Sequence, residues 1–187
     1  MARTLLGGLV GGLALYLVGF IFWGTPLSGL AFTGIGDQQS AAVQAALAQN
    51  LTASGTGTYS VPSTATGQGT VLFGKGPIAT IHFNAGGFPV VDTSALIGGL
   101  VLALIAGVIF AIALDFVARV VPTFAERAKI AILFALAVTF YLDIGQPTFN
   151  HYGYRYFIYL FVADFLGFVA AALVITRWFL PKARIVI

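Results

Sequence analysis

Residues 141–164 read Tyr-Leu-Asp-Ile-Gly-Gln-Pro-Thr-Phe-Asn-His-Tyr-Gly-Tyr-Arg-Tyr-Phe-Ile-Tyr-Leu-Phe-Val-Ala-Asp. The stretch holds two of the six acids, Asp143 and Asp164, one of the two histidines, His151, and five of the seven tyrosines. Apolar runs flank it on both sides. It is therefore either the joint of a helical hairpin or a polar site, and the rest of the chain decides which.

Over its 187 residues the chain is 59% hydrophobic and 8% charged, against roughly 25% charged in a soluble domain. The class that follows is an integral membrane protein. Cysteine is absent, so disulfides and thiolate metal ligands are excluded. The net charge of +3 is no nucleic-acid footprint, because the cations sit at the ends of apolar runs rather than along one face.

Four runs are long and apolar enough for helices crossing roughly 30 Å of hydrocarbon. They are residues 5–24, 94–114, 126–145 and 156–178. The third reaches crossing length only by starting near Phe124. The first could also be a cleaved leader, but no small-x-small site follows it cleanly, so a retained helix is expected. Gly7/Gly11, Gly99/Ala103/Gly107 and Ala163/Gly167/Ala171 repeat at four-residue spacing, which lets helices approach closely. Residues 115–129 form a charged loop and residues 146–155 a polar turn. Asp115 and Arg119, four apart, are placed for a helix-end ion pair.

Residues 25–93 are different. Ser, Thr, Gly, Gln and Pro dominate, which is too polar for lipid and too long for a bare loop. Residues 37–49 suit a helix capped by Asp37. Residues 58–61, 70–73 and 78–83 suit short strands, with a turn at Gly74-Lys75-Gly76-Pro77. Gly74-Lys75-Gly76 lacks the spacing of a phosphate loop. The expected fold is thus membrane all-α: four transmembrane helices, with a small α+β extramembrane domain between helices 1 and 2.

Charge sets the orientation. Arg3, Arg119, Arg127, Lys129, Arg177, Lys182 and Arg184 fall on one side, and only Lys75 and Arg155 on the other. The positive-inside rule then places both termini in the cytoplasm and residues 25–93 outside. For a bacterial inner membrane, which the Gly/Ala-rich composition suggests, outside is the periplasm.

Asp164 stands out for chemistry. It lies about 12 Å inside the fourth span at 1.5 Å per residue. An acid there costs at least about 2.5 kcal/mol on insertion scales, so it should face protein or water. It serves either a ligand site or a hydrogen bond between helices. Asp143 lies nearer the outer surface and is placed to clasp Arg155. His151 and Tyr152, with Tyr154 and Tyr156, read as interfacial anchors. Asp164, Asp143, His151, Tyr152 and Arg155 are the candidate polar site. Two scattered histidines make no metal site. No nucleophile elbow or zinc motif occurs, so neither a catalytic residue nor a cofactor is expected.

The chain is similar, over its whole length, to uncharacterised bacterial four-helix inner-membrane proteins with a periplasmic insert. The features that carry the similarity are the Trp23-Gly24 pair ending a Gly-rich first helix, the Gly76-Pro77 strand start, and a final helix pair joined by an aromatic turn. The resemblance implies an architecture and no activity. The expectation is a non-enzymatic accessory or assembly subunit of a larger inner-membrane complex. Its partners would be the bilayer and other membrane subunits or a second copy, since small-residue faces recur on three helices. The alternative is a small transporter or sensor that binds a solute, lipid or quinone in an outward cavity near Asp164.

Overall fold

The computed structural model describes residues 1–181. Among them, four helical stretches are long and apolar enough to cross a membrane. The chain divides into two compact units, one holding Met1–Thr33 and the chain from Thr93 on, the other Gly34–Asp92. Lys182 and Arg184, used above for orientation, lie outside the described residues.

In the first unit, α1 (Ala2–Trp23), α4 (Thr93–Ala118), α5 (Phe124–Thr139) and α7 (Tyr154–Val174) form the bundle. The helix α1 is central and packs against both α4 and α7, while α5 packs on α7. Four buried glycines make this possible. Gly8 and Gly12 meet α4: a Cβ on Gly8 would lie 2.5 Å from the Val108 Cα, and one on Gly12 would strike the Ala103 carbonyl. The adjacent face meets the end of α7, where a Cβ on Gly11 would lie 2.6 Å from Ile175 and one on Gly7 would strike Phe179. Gly167 of α7 faces Leu15 in the same way. Ala163 and Ala171 are buried with it, as are Ala103 and Gly107. The small residues are therefore used inside the bundle. Gly99 is the exception, with only Tyr16 nearby at 3.7 Å from an added Cβ.

The two ends of the bundle differ. One gathers cations: Arg3 donates to the Trp178 carbonyl at 2.6 Å, and Arg119 pairs with Asp115 at 3.3 Å. Thr4 donates to the same Asp115 carboxylate at 3.2 Å. Arg127 is buried there and donates to the carbonyls of Ala118, Val121 and Pro181 at 3.0, 2.6 and 2.6 Å. It thereby holds the C-terminal end of α4, the connecting loop and the chain after α7 together. The other end is aromatic. Trp23 packs on the rings of Tyr156 and Tyr159, and the Tyr159 hydroxyl donates to the Phe22 carbonyl.

Helix boundaries depart from the expected ones for identifiable reasons. The helix α4 runs through Asp115 to Ala118 because the Asp115–Arg119 pair sits on its last turn. The charged loop shrinks accordingly, and α5 starts at Phe124, capped by Thr123. The Glu126 amide donates to the Thr123 Oγ1 at 3.2 Å, and Thr123 in turn donates to the Glu126 carboxylate at 2.8 Å. This is half of a capping box, with the glutamate held by the capping hydroxyl rather than by the Thr123 amide.

In the second unit, α2 (Asp37–Leu51) precedes β1 (Gly57–Val61), α3 (Gly67–Lys75) and β2 (Ala79–Phe83). The strands pair antiparallel, with Thr58 opposite His82 and Tyr59 opposite Ile81. Asp37 does not cap α2; Gly36 is the cap position, and Asp37 sits in the first turn, where it complements the helix dipole. The expected strand over 70–73 is part of α3. The Thr66 hydroxyl accepts from the Gly69 amide at 3.0 Å, and that cap overrides the β-propensity of Thr70-Val71-Leu72-Phe73.

Candidate functional site

Pro147 shapes the site. Proline has no N–H, and its ring crowds the carbonyl four residues earlier, here that of Asp143. The chain does not stop at the polar stretch. It widens into a π-helical turn, Phe140–Ile144, and continues as α6 (Gly145–Asn150). The expected turn over 146–155 is thus mostly helix. The reversal is confined to residues 151–153, with His151 in the left-handed conformation at φ 56° as the cap. The same device recurs at Ile175–Phe179, just before Pro181. Such wide turns occur often at functional sites.

The widened turn faces Asp143 inward. The side chain is 8% exposed, and its Oδ2 has no hydrogen-bond partner among the described residues. Across from it, α7 carries Asp164, half-buried and within range of the Asp143 charge. Two acids that the sequence places at different depths thus lie on segments packed against each other. The expected clasp between Asp143 and Arg155 does not form. Arg155 lies in the first turn of α7, and its Nε donates to the Leu30 carbonyl at 2.7 Å, while Asp143 is on the buried side of the wide turn. His151 is exposed, and the Tyr152 ring stacks on Phe157 with centroids 5.8 Å apart. Both stay at the hairpin tip. Of the five candidate polar residues, only Asp143 and Asp164 form a site.

Two carboxylates in an apolar region repel each other and are poorly solvated. They need a shared proton or a bound cation. Among the described residues, no three His, Asp or Glu side chains cluster as metal ligands would. Between them, α4, α5 and α7 leave a cavity of about 150 Å³, lined by Phe110, Phe134, Ala135, Val138, Thr139 and Phe168 and by neither acid. The rings of Phe110 and Phe168 meet edge to face, 5.9 Å apart.

Two residues carry more than the sequence suggested. Pro147 fell unremarked inside the expected turn over 146–155, although a proline within an apolar run distorts a helix at the carbonyl four residues earlier. Arg127 read only as an orienting charge, although Thr123 and Glu126 already place it in the first turn of a helix. No protein-family model, curated protein or solved structure matches the chain. What stands is the fold and the site: four helices long and apolar enough to cross a membrane, with a buried Asp143 and a half-buried Asp164.

Proposed function

We propose that this is a non-enzymatic protein of the bacterial inner membrane, a small transporter or sensor whose working site is the Asp143/Asp164 pair. The pair takes up a proton or a small cation. The single observation that carries this reading is the buried Asp143 Oδ2 with no partner, on a turn packed against the helix that carries Asp164. A purely structural acid would be expected to hold a hydrogen bond between helices, since buried polar groups are nearly always paired. The cationic end of the bundle supports a cytoplasmic position for Arg3, Arg119, Arg127 and Arg177. The Gly34–Asp92 unit then faces the periplasm.

The test is labelling with a hydrophobic carbodiimide, which adds to carboxyl groups that hold a proton within an apolar region. An adduct on Asp143 or Asp164, slowed by a competing cation and lost in Asp143→Asn or Asp164→Asn respectively, is expected. Labelling that spares both acids would sink the reading.

A second reading, an accessory subunit of a larger complex, draws on a different observation. None of the buried apolar residues lies in the Gly34–Asp92 unit, whose Phe88, Val90 and Val91 are exposed. A partner subunit or a second copy would cover them. Its original motive, spare small-residue faces, is weakened because those faces pack inside the bundle. Native-membrane purification distinguishes the two readings: migration as a lone small protein speaks against a subunit.

A further inference from the structure

The chain leaves α1 and enters α4 through two connections that carry no charge. No acid, lysine or arginine occurs between Arg3 and Asp37, or between Lys75 and Asp92. Leu27, Leu30 and Phe32 are exposed on the first connection, and Phe88, Val90 and Val91 on the second. Clustered exposed apolar residues mark a surface that something covers. Connectivity limits what that can be. Phe88 precedes Thr93, the first residue of α4, by five residues, and Val91 precedes it by two. At no more than about 3.5 Å per residue, all three lie within about 18 Å of the start of a helix apolar enough to cross a membrane. The first connection follows Trp23, the last residue of α1, and is fastened at the aromatic end of the bundle. The Arg155 Nε donates to the Leu30 carbonyl at 2.7 Å, and the Phe32 and Tyr156 rings meet with centroids 5.6 Å apart. Pro26–Leu30 is a 3₁₀ turn that uses its polar groups internally. The Thr25 hydroxyl accepts from the Leu27 amide at 3.3 Å and donates to the Ile21 carbonyl at 2.6 Å, and the Ser28 hydroxyl donates to the Thr25 carbonyl at 3.0 Å.

We propose that residues 27–32 and 88–91 lie in the lipid headgroup layer at the aromatic end of the bundle, where their apolar side chains anchor both connections to the lipid surface; the proposal rests on the reading of α1 and α4 as membrane spans. Three features select lipid over a protein partner. The patches adjoin the ends of two spans, where Trp and Tyr mark the headgroup level. Their polar groups are turned inward on the chain, as a segment with little water around it requires. They carry no charge, whereas a protein interface has a polar rim and charges that fix its register. A lipid surface asks only for apolar area. The irregular backbone of residues 84–92 keeps the second connection in the headgroup layer, because unpaired peptide groups do not enter the hydrocarbon.

The chain has no cysteine, so one introduced cysteine is a unique labelling site. Gly29→Cys and Gly87→Cys place it on the two connections at positions where an added Cβ meets open space. Each is spin-labelled in the full chain, in vesicles of phosphatidylcholine, whose zero net charge removes electrostatic attraction. Power saturation then compares collisions with oxygen, which concentrates in lipid, and with a nickel chelate, which stays in water. Ile109→Cys, at an exposed position within α4, is the lipid reference, and Gln44→Cys, on the exposed polar helix α2, is the water reference. Labels at 29 and 87 should both favour oxygen over nickel relative to Gln44, at a depth shallower than Ile109. Changing Phe88, Val90 and Val91 together to serine should raise nickel collision at 87 several-fold and leave Ile109 unchanged, which shows that the bundle is intact. Nickel collision at either connection equal to that at Gln44 would overturn the proposal, because that connection is then in water. Shielding of the label at 87 from both reagents would overturn it as well, and would favour the accessory-subunit reading, since protein then covers the patch. If Ile109 itself collides with nickel as freely as Gln44, the reading of α4 as a membrane span falls, and the anchor with it.

Discussion

Asp143→Asn should make the protein more stable, the reverse of the usual effect of altering a buried polar residue. The Asp143 Oδ2 is buried without a donor, and its charge faces that of Asp164. An unsatisfied buried group costs about 1–3 kcal/mol. A charged acid inside an apolar helix costs at least about 2.5 kcal/mol. The two figures overlap, so the recoverable amount is about 1–3 kcal/mol. Asparagine removes the charge of residue 143 and with it the repulsion. Asp164→Asn should act with the same sign. The double variant should gain less than the sum, because either substitution alone removes the repulsion. Thermal unfolding of the detergent-solubilised protein reads this directly. At about 2–4 °C per kcal/mol for a chain of this size, the midpoint should rise by several degrees. Cation binding should fall in the same variants, which is the signature of strain kept for function. A midpoint lowered by several degrees in Asp143→Asn would refute the reasoning and show that the carboxylate holds helices together.

Other substitutions test the frame around the site. Gly12→Val should cost about 1–3 kcal/mol or prevent folding, because its side chain would enter the α4 backbone at Ala103 and Leu104. Gly19→Val, with open space around it, should be neutral in the same melting assay. Arg127→Met should cost about 1–3 kcal/mol or more, because it leaves the carbonyls of Ala118, Val121 and Pro181 without their donor. Arg127→Lys should restore only part of this in denaturant titration, since one ammonium cannot span the guanidinium fork. Thr66→Ala should cost about 1 kcal/mol and speed hydrogen exchange at the first amides of α3. Pro147→Ala should let Phe140–Ile144 relax toward an ordinary helix, turn Asp143 away from Asp164 and reduce carbodiimide labelling.

The bundle was legible because hydropathy is a one-dimensional signal. A run near 20 apolar residues must cross or be covered, whatever its neighbours. The small-residue spacing at Ala103/Gly107 and Ala163/Gly167/Ala171 likewise identified packing faces, but not their partners. Spacing says that a face admits close approach. Whether a sister helix or a foreign one comes close is a property of the tertiary arrangement, and here Gly7, Gly8, Gly11 and Gly12 of α1 serve two neighbours at once. The Gly34–Asp92 unit was less legible. Thr70-Val71-Leu72-Phe73 has strand-like side chains, and the outcome turned on one hydroxyl, Thr66, whose capping role outweighs four propensities.

The acid pair was hidden by an error in where the hairpin turns. In an antiparallel hairpin, two residues face each other when they lie equally far from the turn. If the helices stop at residue 145 and restart at 156, Asp143 is about 3 Å deep and Asp164 about 12 Å deep. They then miss each other by more than a turn, and Asp143 falls to Arg155 as the nearest opposite charge. With the helix carried through Phe140–Ile144 to Asn150, and α7 starting at Tyr154, the depths become about 10 and 15 Å. The difference is now less than one turn, and the acids lie at similar depth on packed segments. Gly145-Gln146-Pro147 caused the error, because it has the composition of a turn. In water those residues would end a helix. Flanked by apolar runs, the backbone has no solvent to satisfy its freed groups. It keeps as many internal hydrogen bonds as proline permits, which requires a wide turn rather than an exit. The proline that disguised the site is therefore also what faces Asp143 inward.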